Sequence, residues 1–263
     1  VNADEKLIIA FFDMHGSKLL GLISTCSKSL YMKLKESTFP LHLNIKQFGL
    51  LSTNIVNGVG HGIVTNSIVM AGFNEEECDI DTVARLASFW NKAYPKRCTV
   101  KQLALKMDIS VNEISLRTLM SSLQKPHSES LMHVSFEGSG MQLLGMKLLG
   151  DIMMQGKMPQ LLSLNVSRNN GLYLGVHKIM NAISSQQCPV LHTLNVSANG
   201  AGVAILEFLD RKFREETTFL KHLYASDNLL DLYDNDAVNI LTQAKLSFNH
   251  YETLDLSHNT LMD

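Results

Sequence analysis

The residues of this chain best able to do chemistry are its ten histidines and four cysteines, so their spacing is the first constraint on function. His15, His42, His61, His127, His133, His177, His192, His222, His250 and His258 are dispersed, and no pair has the H-x-x-x-H spacing of a helical metal site. Neither H-E-x-x-H nor G-x-S-x-G occurs. Cys26, Cys78, Cys98 and Cys188 include no C-x-x-C pair, the usual signature of a zinc or redox site. They are read as reduced and mostly buried thiols, which suits an intracellular protein. The glycine-dense NGVGHG (57–62) lacks a following Gly-Lys-Ser/Thr, so it is read as a turn rather than a phosphate cradle. No catalytic residue, metal or cofactor is expected, and the chain is read as a non-enzyme.

Two short motifs remain. Asn165-Val166-Ser167 and Asn195-Val196-Ser197 both have the pattern of an N-linked sugar acceptor and stand about 30 residues apart. Either the protein carries two evenly spaced sugars, or a structural repeat places the same letters at the same interval. The wider sequence favours the repeat. Anchored on L-x-x-L-x-L-x-x-N, the matches are Leu161, Leu164, Val166 and Asn169, then Leu191, Leu194, Val196 and Asn199. Leu220, Leu223, Ala225 and Asn228 follow, then Tyr251, Leu254, Leu256 and Asn259. Weaker copies precede them: Leu131, Val134 and Phe136 with Ser139 in the last slot, and Val100, Leu103 and Leu105 with Asp108. The period is about 30 residues throughout.

Between these motifs the apolar residues change to helical spacing. GVHKIMNAISSQQ (175–187) places Val176, Met180 and Ile183 on one face and stops before Pro189; MKLLGDIMMQ (146–155) and GVAILEFLDRKF (202–213) behave alike. Further back, NSIVMAGFN (66–74) is read as a strand followed by a helical VARLASFWNKAY (83–94), and PLHLNI (40–45) as a first strand. Trp90 and Tyr94 are assigned to packing on that helix, and Lys96, Arg97 and Lys101 to a solvated face. Strand and helix alternating at this period predict an α/β protein with a parallel sheet covered by helices on one side.

The motif and its period resemble the leucine-rich repeat family, in its ribonuclease-inhibitor-like class. The resemblance implies a horseshoe-shaped solenoid with the parallel sheet on the concave face and helices on the convex face. Residues 38–263 then hold about 7–8 units, the last incomplete. It also implies that Asn169, Asn199, Asn228 and Asn259 turn inward as a ladder of hydrogen bonds to the turns of their own and adjacent repeats. Because strand side chains alternate, Leu164 and Val166 should enter the core while Ser163, Asn165 and Ser167 face out. On that register the sugar-acceptor pattern is a strand position, and the serine recurs without it in Tyr224-Ala225-Ser226 and Asp255-Leu256-Ser257.

Residues 1–37 do not fit the repeat. LIIAFF (7–12) and LLGLISTCSKSL (19–30), running into LHLNI (41–45), are similar to an F-box, which in its family docks a Skp1-type adaptor of a ubiquitin ligase. The usual Leu-Pro opening is missing, and the tryptophan that commonly follows the cysteine is replaced by Leu30 or Tyr31. The alternative is a helical cap covering the first repeat, which a solenoid needs. The chain halts after the strand motif in LDLSHNTLMD, so more chain or a partner is expected beyond Asp263.

Composition bounds the partner. Hydrophobic residues make up 45% of the chain, enough for a continuous core, and the net charge of −2 argues against a nucleic-acid or membrane-surface role. No apolar run approaches the roughly 18 residues of a membrane span. The expected function is a non-catalytic protein-protein interaction scaffold, cytoplasmic or nuclear, within a larger assembly. A substrate receptor of a ubiquitin ligase and a GTPase-activating regulator are the alternatives, the last because Ran GTPase-activating proteins share this repeat class. Large or charged out-facing residues should carry the binding energy: His133, Glu137, His222, Tyr224 and Asp255, with Asn165 and Asn195 adding hydrogen bonds.

Overall fold

A computed structural model describes residues 38–44, 64–73, 102–107, 113–215, 219–230 and 251–259, with the single positions 239 and 242. Several sequence readings lie outside the described residues: the 1–37 segment, NGVGHG, the 83–94 helix with Trp90 and Tyr94, the Lys96, Arg97 and Lys101 patch, Asp108, and Cys26, Cys78 and Cys98.

The alternation of apolar patterns appears as alternating elements. Strands β1 (Thr38–Asn44), β2 (Val64–Phe73), β3 (Gln102–Met107), β4 (His133–Ser135), β5 (Ser163–Asn165), β6 (Thr193–Asn195), β7 (His222–Tyr224) and β8 (Thr253–Asp255) form one sheet in chain order. Every neighbouring pair is parallel. Among the described residues, four α-helices lie in the connections from β3 to β7: α1 (Glu113–Leu123), α2 (Gln142–Met154), α3 (Leu172–Ser184) and α4 (Ala204–Glu215), with a 3-10 turn at Pro126–Ser130. α1 is a helix that the sequence pattern did not single out. The protein is therefore α/β with an all-parallel sheet.

One residue per repeat fills each layer of the core. Leu131, Leu161, Leu191 and Leu220 are buried in one layer; Val134, Leu164, Leu194 and Leu223 in the next; Phe136, Val166, Val196 and Ala225 in a third. Removing each of the larger side chains from water contributes about 1.5 to 3 kcal/mol. Because the sheet is parallel and in register, Val134 pairs with Leu164, Leu164 with Leu194, and Leu194 with Leu223, so the layers run unbroken across repeats.

The helices bury the stripe their spacing predicts. In α3, Val176, Ile179, Met180 and Ile183 are buried, a face at i, i+3, i+4 and i+7. α2 and α3 approach closely because glycines line their contact: a Cβ on Gly150 would lie 2.8 Å from Lys178 Cβ and 2.9 Å from the Lys178 carbonyl carbon. Both helices end alike. Gly156 (φ 66°) and Gln186 (φ 57°) take the left-handed position after the cap. Gly156 N–H donates to Met153 O and Lys157 N–H to Ile152 O, while Gln186 N–H and Gln187 N–H donate to Ile183 O and Ala182 O. This is the Schellman pattern.

Candidate functional site

β4 to β8 each deliver the chain into the same turn. Pairing continues beyond the strands, with Val166 N–H donating to Asn195 O and Arg168 N–H to Ser197 O, and the equivalent bonds recur from repeat to repeat. The backbone then turns through left-handed positions at Gly138, Arg168, Ala198, Asp227 and His258. Such a turn leaves buried N–H and C=O groups without strand or helix partners, and the next residue supplies them.

Asn199 is the clearest case. Its Oδ1 accepts from Asn169 N–H (3.2 Å) and Gly171 N–H (3.1 Å), both in the preceding repeat. Its Nδ2 donates to Val166 O (2.9 Å), Val196 O (2.9 Å) and Ser197 O (3.2 Å). Asn169 repeats this with Met141 N–H and with Phe136 O, Val166 O and Ser167 O. Asn228 accepts from Asn199 N–H and Ala201 N–H, and Asn259 from Asn228 N–H. Ser139 is also buried, and among the described residues its hydroxyl lies 2.7 Å from its acceptor Phe136 O and 3.3 Å from Asn169 Oδ1.

From β4 to β8 the sheet face opposite the helices is polar, and register aligns its side chains into columns. One column runs His133, Ser163, Thr193, His222, Thr253; the next runs Ser135, Asn165, Asn195, Tyr224, Asp255. Two of the proposed contact groups come together within this face. His133 is exposed and shares a 2.9 Å hydrogen bond between Nδ1 and Ser163 Oγ, while Asn165 Nδ2 donates to Glu137 Oε2 at 3.2 Å. A depression of about 350 Å³ lies here, lined by Ala104, His133, Ser135, Ser163 and Asn165 together with Leu103 and Val134. At the other end, His222 Nδ1 bonds Thr253 Oγ1 at 3.0 Å and its Nε2 lies 3.6 Å from Glu252 Oε2. Lys221 Nζ holds the same Glu252 at 2.6 Å, which lowers the Glu252 carboxyl below its usual range. Tyr224 and Asp255 are neighbours across β7 and β8. His133 and His222 stand three strands apart, about 14 Å, and do not meet.

The sugar-acceptor asparagines have a local role. Asn165 Oδ1 accepts from Ser167 N–H (3.0 Å) and Ser167 Oγ (2.8 Å); Asn195 Oδ1 accepts from Ser197 N–H (3.0 Å). Asp255 does the same with Ser257 N–H, and hydrogen bonds from the Ser257 side chain and then its backbone hold the Asp255 carboxyl below its usual range. These are Asx turns, in which a short polar side chain caps the backbone two residues on. Ser167 departs from the out-facing expectation: it is buried, because its hydroxyl folds back onto Asn165. The spacing N-x-S, N-x-S, D-x-S was a readable sign of this turn. Ser163 was read as out-facing but not as a partner of His133, and Thr253, Lys221 and Glu252 were passed over, although a period of about 30 residues names the cross-strand neighbour of each histidine.

Cys188 is a buried thiol pushed up to about 12 by burial. Among the described residues, no helix is long and apolar enough to cross a membrane. No protein-family model matches this chain, and no curated protein matches it either.

Proposed function

We propose that the chain is a leucine-rich repeat solenoid of the ribonuclease-inhibitor-like class. It acts as a non-catalytic, intracellular protein-binding scaffold within a larger assembly, with the polar sheet face, concave in that class, as its binding surface. The observation that carries this reading is the pair of in-register polar columns across β4 to β8, held outward by a buried residue between each pair from β4 to β7 and by the half-buried Leu254 in β8. Parallel strands at about 4.8 Å spacing make such columns a regular array, suited to an extended protein surface rather than to a small reacting molecule. His133, Glu137, His222, Tyr224 and Asp255 carry the larger contacts, and Asn165 and Asn195 shape the rim of each turn.

Affinity capture quantified by mass spectrometry tests the reading. The comparison is wild type, the His222→Ala/Tyr224→Ala double variant, and a helix-face variant, Arg117→Ala. A partner lost from the double variant and kept by the helix-face variant supports the sheet face as the binding surface. A partner lost equally from both, or only from the helix-face variant, sinks the reading.

A further inference from the structure

We propose that the turns following β5, β6 and β7 dock a second copy of this chain, in a weak two-fold dimer centred on Ala198 and Gly200. The first observation is a pair of leucines on backbone that disfavours them. The position after each ladder residue is left-handed, and it holds Gly140, Asn170 and Gly200 before it holds Leu229 (φ 58°). Two residues further on, Gln142, Leu172 (φ 55°) and Gly202 are left-handed as well. A bulky aliphatic side chain is a poor occupant of such a position, where glycine and asparagine are favoured. Burial within one chain does not offset the strain, since Leu172 is 45% exposed and Leu229 62%. Their tips converge on one spot. A Cβ placed on Gly200 would lie 3.5 Å from Leu172 Cδ2 and 3.9 Å from Leu229 Cδ1, so the two leucines and the bare glycine form one apolar step.

The charges beside this step fit a second copy. Arg168 N–H donates to Ser197 O, Ala198 N–H to Ser226 O and Asp227 N–H to Ser257 O. Arg168, Ala198 and Asp227 therefore stand in a row at intervals of about 4.8 Å, which continues to Gly138 on one side and His258 on the other. Arg168 and Asp227 are exposed and opposite in charge, one repeat to either side of the half-buried Ala198 and Gly200. That order is self-complementary. A two-fold axis in the contact plane, parallel to the strands and through the Ala198–Gly200 turn, carries each side of the row onto the other. Arg168 of one copy then faces Asp227 of the second, Asp227 faces Arg168, and Leu172 meets Leu229. Residues on the axis meet their own copies, which requires them to be small and uncharged, as Ala198 and Gly200 are. A row of one sign would oppose like charges about the same axis. These residues are well short of the roughly 20 to 30 a side of a standard interface, so association is weak and concentration-dependent.

Sedimentation equilibrium of the full chain from about 5 to about 500 μM tests the proposal. Wild type should pass reversibly from monomer to dimer over that range. Arg168→Asp and Asp227→Arg each give the row two charges of one sign, so each alone should weaken dimerisation about tenfold or more. Mixed one to one, the two variants present an acidic row to a basic one and should associate at least as tightly as wild type. Leu229→Gly installs the residue found at 140 and 200, so it should weaken the dimer without lowering the thermal midpoint. A monomer at every concentration overturns the proposal, as does a dimer that both single reversals leave unchanged, or a mixture that fails to associate. A chain that stays monomeric yet loses a captured protein in Leu229→Gly would assign the step to a different partner, and overturns it too.

Discussion

Replacing Asn199 by alanine removes five hydrogen bonds at once, but the loss is unevenly distributed. Val166 O keeps a bond from Asn169 Nδ2, Val196 O keeps one from Asn228 Nδ2, and Ser197 O keeps one from Arg168 N–H. The two donors that Asn199 Oδ1 serves, Asn169 N–H and Gly171 N–H, have no second acceptor among the described residues. Each buried donor left unsatisfied costs about 1 to 3 kcal/mol, so Asn199→Ala should destabilise by about 2 to 6 kcal/mol. That is a large part of a typical domain stability of about 5 to 15 kcal/mol. Urea unfolding followed by circular dichroism measures it, with the exposed Gln160→Ala as control. Asn199→Asp sharpens the test. An aspartate keeps the acceptor oxygen but turns a carboxylate oxygen toward three carbonyls, so its folded pKa should be raised above the unfolded value. The variant should then be least stable at neutral pH and recover on acidification through the carboxylate range, the reverse of ordinary acid denaturation. A loss below about 1 kcal/mol for Asn199→Ala would refute the assignment of these donors, since it lies under the cost of one orphaned group.

Three further outcomes follow from individual positions. Gly150→Ala should gain up to about 1 kcal/mol of helix propensity, yet destabilise by about 1 to 3 kcal/mol net, because its Cβ meets the α3 backbone rather than a yielding side-chain tip; a stabilised variant in thermal melts would show that α2 and α3 are not in close contact. Gln186→Gly should stabilise by about 0.5 to 1 kcal/mol, since the residue is exposed and left-handed where the preceding repeat has Gly156; an unchanged or lowered urea midpoint would count against that backbone. The Cys188 thiol and Tyr251 hydroxyl are both pushed up to about 12 by burial, from 9.0 and 10.0. Their raised folded values mean that stability is full below pH 9.0 and declines from there toward 12, a fall that Tyr251→Phe should reduce. The same substitution removes a buried hydroxyl without a hydrogen-bond partner, so it should not destabilise at neutral pH.

Repetition made much of this protein readable from its letters. Leu161, Leu164 and Val166 recur with their counterparts at one interval, and a strand with alternate residues buried is the economical solution for such a row. The helices between them were readable for the same reason: Val176, Met180 and Ile183 share a face only at helical spacing. α1 was just as readable and was overlooked: Leu116, Leu119, Met120 and Leu123 share a face at i, i+3, i+4 and i+7, and all four are buried.

The candidate site divides along the same line. Residue identity and alternation placed His133, Asn165, Tyr224 and Asp255 on one face, since side-chain direction along a strand is a local property of the backbone. Local sequence could not say that Asn165 would spend its oxygen on Ser167 and its amide on Glu137, or that a depression lined by Ala104 and Ser135 would lie beside them. The period of about 30 residues names which residues stand side by side across strands, but which of those neighbours bond one another depends on side-chain geometry that only the folded sheet fixes. Composition and period thus set the elements and their faces. Tertiary packing set which of the neighbouring polar groups bond one another, and with that which of them are already occupied.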